Sequence, residues 1–135
     1  MLDFLLQNDA LSAIFAFALV LIPAVIIHEL GHFLAAKAVG ITVLEFGIGF
    51  PPRMVTLFRR GETEYTLNWL PIGGFVRMEG EEGRSRDPNA FINRGLGTRL
   101  RILLAGVFMN IVLAFVVFSG IAAFADPTVG AQVLA

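Results

Sequence analysis

His28-Glu29-Leu30-Gly31-His32 carries residue types and a spacing suited to chemistry. On a helix, side chains four positions apart lie one above the other, so both imidazoles can reach one metal ion. Glu29 points roughly a quarter-turn aside, close enough to act on water at that metal without ligating it. The chain has no cysteine, so a metal must be held by histidine and carboxylate. These residue types suit amide hydrolysis. Zinc lowers the pKa of water and polarises a carbonyl oxygen, while Glu29 takes the proton from the attacking water and passes it to the leaving nitrogen. Catalytic zinc takes three protein ligands, and the motif supplies two. Glu45 and Glu79 lie in the loop that follows, and Asp126 lies at the far end of a second apolar run. Glu45 stands in a strand-like stretch where a sheet-surface role is favoured over ligation. Further chain or a partner is therefore expected to complete the site.

The setting of the motif is unusual. Residues 10–27 contain no charge, and Phe33-Leu34-Ala35-Ala36 follow it. An unpaired imidazole in an apolar helix costs free energy, so ionisable residues there point to function. Gly31, a poor helix former, is expected to remove bulk beside the metal face. The chain of 135 residues is 56% hydrophobic and 16% charged, with a mean hydropathy of +0.77. That balance is of the membrane class, and no nucleic-acid partner is expected. The first segment lacks a basic start and an evident cleavage site, and is read as retained rather than as a signal peptide.

Two long helices are expected to position these groups. The first begins near Asn8 or Asp9, either of which can cap it, and runs to Val39, with Gly40 as its stop. Pro23 lies inside it, five residues before His28, and should kink it or loosen its hydrogen bonding. The second spans residues 102–125, again without a charge and long enough to cross a bilayer. Asn110 is its one strongly polar side chain, and Ala105, Gly106, Ser119 and Gly120 permit close packing. Asn110 has two readings of equal weight, an interhelical hydrogen bond and a contact to substrate.

All ten Lys and Arg residues fall between positions 37 and 101. By the positive-inside rule this loop is cytoplasmic and both ends of the chain face out. Residues 41–48, 63–70 and 75–78 read as three short strands. Gly49-Phe50-Pro51-Pro52, Arg60-Gly61-Glu62 and Pro71-Ile72-Gly73-Gly74 are the breaks between them. The expected fold is thus membrane α-helical: two transmembrane helices joined by a cytoplasmic-side loop with a small membrane-reentrant antiparallel β sheet. Its segments are 1–40, 41–78, a polar loop 79–101, 102–125 and a tail 126–135. The sheet either caps the metal site or serves as an edge on which an unwound substrate adds as a strand.

The stretches HELGHFLAAKAVGI, EFGIGFPPR, GETEYTLNWLPIGGFVRMEGE and RILLAGVFMNIVLAF, in that order, resemble the bacterial site-2 proteases, intramembrane zinc metalloproteases of regulated proteolysis. The resemblance implies one zinc on His28 and His32, Glu29 as the catalytic glutamate, and a reentrant sheet from about residue 41 to 78. It also implies a third ligand, an aspartate on a later transmembrane helix, so the 135 residues are expected to be inactive alone. TVGAQVLA resembles the opening strand of an extracytoplasmic PDZ domain. Gly47, Gly49, Phe50 and Asn110 are candidates for substrate contact. The chain departs from the family at Pro51, where glycine is frequent, and at Val107, where proline is usual. The implied partners are a transmembrane protein substrate and the lipid bilayer, in the bacterial cytoplasmic membrane. The competing reading is a non-catalytic membrane scaffold or metal-binding module within a complex.

Overall fold

A computed structural model describes residues 8–124 of the chain. The first helix, α1, is Asp9–Ala38. The Asn8 side chain accepts from the Leu11 N–H at 3.2 Å and caps it. Asp9 in the first turn and Lys37 in the last complement the helix dipole. The stop is built as the sequence suggests. Gly40 takes a φ of 74°, its N–H bonds to the Lys37 carbonyl at 3.1 Å, and the Ile41 N–H bonds to the Ala36 carbonyl at 3.0 Å. These two bonds satisfy carbonyls that the helix end leaves free, and they turn Ile41 back against Ala36, both buried.

The second helix, α2, is Leu96–Phe124. It starts six residues before the uncharged run that marked it in the sequence. Arg99 and Arg101 end the apolar stretch, but arginine and leucine are good helix formers, so the helical hydrogen bonding continues through them. Both helices are long and apolar enough to cross a membrane. Their outer reaches leave large side chains uncovered, among them Phe15, Phe17, Phe115 and Phe118.

Between the helices lie two strands, β1 (Val43–Arg60) and β2 (Thr63–Met78), paired antiparallel around the turn at Gly61. The three strands expected from the sequence are therefore two. Pro51-Pro52 and Gly73-Gly74, taken above as breaks, are irregular points within continuous strands. The register explains why. Phe46 faces Val76 on one side and Tyr65 on the other, and Gly47 faces Phe75 and Thr66. The first half of β1 thus lies between the two halves of β2, and the chain must bend at Gly49 and Gly73, which have φ of 80° and 100°. A short 3-10 turn, Phe91–Asn93, precedes α2.

Ala36, Ile41, Val43, Phe46, Val76, Met78 and Ile102 form the buried core. It joins the end of α1, the sheet and the start of α2, and so fixes the helices at the end that carries the histidines. The loop at 79–93 is tied down as well. Ser85 Oγ donates to Glu79 Oε1 at 2.8 Å, and the Phe91 N–H bonds to the Glu79 carbonyl at 2.7 Å. The tail expected at 126–135 lies outside the described residues.

Candidate metal centre

His28 and His32 stand one turn apart on α1, and their Nε2 atoms are 3.1 Å apart. The rings meet edge to face, with centroids 4.7 Å apart. Two nitrogens about 2.0–2.1 Å from one tetrahedral zinc would be separated by roughly 3.3 Å, so the pair fits a shared ion. The chemistry of the donors fits as well. His32 Nδ1 lies 2.8 Å from the Ile102 carbonyl oxygen. A carbonyl only accepts, so the ring proton sits on Nδ1 and the Nε2 lone pair is free to ligate. Among the described residues, no group of three or more His, Cys, Asp or Glu side chains converges.

The opposing wall is α2. A Cβ at Gly106 would lie 2.6 Å from His32 Nε2 and 2.8 Å from His28 Cε1. Only glycine lets the second helix approach the imidazoles this closely. Gly31 has a different place from the one expected. Its missing side chain makes room for the Ala105 backbone and Met109, where a Cβ would meet the Ala105 carbonyl carbon at 2.8 Å. Gly31 therefore serves the helix crossing, and Gly106 clears the metal face. Asn110, one turn beyond Gly106, brings its Nδ2 to 3.4 Å from His28 Nδ1.

Glu29 lines two clefts. One, of about 350 Å³, is shared with His28, Phe50, Gly73, Gly74 and Asn110. The other, of about 260 Å³, is shared with His32, Phe75, Val76, Met78, Glu81 and Leu103. The bend of β2 sits directly against the glutamate, since a Cβ at Gly74 would lie 3.4 Å from Glu29 Cγ.

Of the residues singled out in the sequence, the structure brings together His28, Glu29, His32, Phe50 and Asn110. Gly47 and Gly49 lie within the sheet: a Cβ at Gly47 would strike the ring of Phe75, and Gly49 packs beside the carbonyls of Asn68 and Leu70. Glu45 is not on the sheet surface but buried, bonded to Arg53 at 3.0 Å, Arg77 at 3.1 Å and Thr66 Oγ1 at 2.7 Å. It takes no part in the metal centre. The sequence reading missed the Ile102 carbonyl, the Phe75 ring and Glu81. The spacing of 102, 106 and 110, four apart on one helix face, was the available signal.

The chain matches the model of peptidase family M50 over residues 16–133. The "Putative zinc metalloprotease" of Clostridium acetobutylicum is 45% identical over 109 residues, which cover 78% of this chain and 32% of that protein. A protein of the same name from Clostridium perfringens is 48% identical over 107 residues, covering 78% and 32%. Zinc metalloprotease RasP of Geobacillus kaustophilus is 49% identical over 74 residues, 55% of this chain and 17% of RasP. The chain thus spans about a third of the length of the first two relatives. With the match extending over most of its length, the chain belongs to peptidase family M50, the site-2 protease family.

Proposed function

We propose that this chain is the N-terminal part of an intramembrane zinc metalloprotease that hydrolyses peptide bonds in transmembrane segments of membrane-bound regulatory proteins. The observation that carries the reading is the pair of Nε2 atoms 3.1 Å apart, with His32 held in its ligating form and Glu29 facing the adjoining clefts. His28 and His32 would hold the ion. Bound zinc supplies Lewis acidity, which polarises a substrate carbonyl and makes water easier to deprotonate. The carboxylate of Glu29 accepts the proton of the attacking water and returns it to the amine nitrogen as the peptide bond breaks. A third ligand comes from outside the described residues, an aspartate of a later helix by family resemblance, and the 135 residues alone are inactive.

A helical substrate hides its peptide bonds, so it must be unwound before attack. The second half of β2 suits that task. Among the described residues it pairs only with the first half of β1, and Phe75, Val76 and Met78 border the cleft of Glu29 and His32. An extended substrate segment adding along this side would present its backbone to Glu29. The loop between the helices faces the bacterial cytoplasm, and the sheet dips into the membrane interface, where Trp69, Leu70 and Ile72 are exposed.

The full-length protein tests this. Glu29→Gln is expected to abolish cleavage of a transmembrane substrate while zinc content, measured by atomic emission, stays at the parent level. Cleavage that survives the substitution overturns the mechanism.

A further inference from the structure

Asn110 holds a polar atom with no partner. Its Oδ1 is buried and makes no hydrogen bond, an arrangement that costs free energy in an apolar setting. Its amide nitrogen lies 3.4 Å from His28 Nδ1. In that orientation the N–H donates to a bare Nδ1, and the ring proton must sit on Nε2, the nitrogen facing His32. Such a ring cannot ligate through Nε2. A half-turn of the carboxamide exchanges its two ends without changing its shape. Oδ1 then accepts from Nδ1–H, and Nε2 keeps its lone pair. The amide nitrogen takes the place left by the oxygen, and the Asn110 side chain lines two clefts. His32 already has this arrangement with the Ile102 carbonyl.

We propose that Asn110 is the positioning residue of His28: its side-chain oxygen holds Nδ1–H so that Nε2 faces the metal, as the Ile102 carbonyl does for His32. Positions 102 and 110 then frame both imidazoles from one face of α2, with Gly106 between them. The inference rests on the zinc reading of the site. The Gly106 carbonyl also borders the His28 ring and is the acceptor from which Asn110 must be distinguished.

The test is zinc affinity of the full-length protein in detergent, by competition with a chromogenic chelator, alongside the absorption spectrum of the cobalt-substituted protein. Asn110→Leu, of similar size but with no acceptor, should weaken zinc binding about 10–100-fold and alter the cobalt spectrum. Asn110→Asp, which keeps the acceptor, should match the parent in both. Unchanged affinity in the leucine variant assigns the role to the Gly106 carbonyl and overturns the inference. Equal losses in both variants reduce Asn110 to helix packing and overturn it too. If the leucine variant does not assemble, 15N spectra of histidine-labelled, zinc-loaded protein decide the matter. The His28 Nδ1–H resonance should shift on Asn110→Asp, and indifference overturns the inference. Parent-like zinc binding by His28→Ala is a separate failure, that of the zinc reading itself.

Discussion

A methyl group at position 106 would stand 2.6 Å from one metal-facing nitrogen and 2.8 Å from the neighbouring ring. His32 cannot retreat without losing its bond to the Ile102 carbonyl. Gly106→Ala is therefore expected to lower zinc affinity by at least about tenfold, as loss of ligand orientation does elsewhere. Intrinsic propensity works the other way, since alanine favours a helix over glycine by about 1 kcal/mol. Gly120→Ala is the matched control, because nothing lies within 4 Å of a Cβ there. Equal zinc content in the two purified variants would contradict this role for Gly106. The pair His28 and His32 was legible because a spacing of four on a helix fixes the mutual placement of side chains. The Ile102 carbonyl was not legible, since every residue has one and only the packing of α2 on α1 selects it. The same packing moved the steric role from Gly31 to Gly106, as the sequence does not say which faces of two uniformly apolar helices meet.

At the scale of the elements, the sheet is held by a carboxylate inside it. Glu45 takes bonds from Arg53, Arg77 and the fully buried Thr66 hydroxyl. Those three donors come from both halves of β2 and the second half of β1, so one side chain ties together the segments that the register interleaves. Glu45→Ala should destabilise the protein by on the order of 1–3 kcal/mol, chiefly by leaving the Thr66 hydroxyl without its acceptor. The two arginines are partly exposed and can turn to water. Arg59→Ala, which removes only an outer pair with Glu64, should cost no more than about 1 kcal/mol. Thermal unfolding in detergent ranks the two, and a larger loss for Arg59→Ala would refute the assignment. The strands themselves were legible in their β-branched and aromatic residues. Their continuity was not, because Pro51-Pro52 and Gly73-Gly74 carry the same turn signals whether a strand ends or bends.

For the whole molecule, the proposed orientation in the membrane rests on the ten cations gathered between positions 37 and 101. These 135 residues contain no cysteine, so they add no background label to a check of it. Cysteines placed singly at Arg60 and Arg84, both exposed, should resist a membrane-impermeant maleimide added outside intact spheroplasts and react in inverted vesicles. Labelling from outside would reverse the topology. The charge segregation is legible in sequence because it needs no partner contacts, whereas the crossing of α1 and α2 is a property of two surfaces together. That crossing has a thermodynamic corollary. In the proposed metal site the two histidine ligands stand on one helix and the groups that would orient them on the other, so ion affinity and helix association would be a single coupling seen from two ends. Lipid supplies little hydrophobic drive for helices to pair. An ion held by His28 and His32 would then be a cohesive element between the two helices: separating them would weaken its hold, and removing it would loosen them by the same free energy.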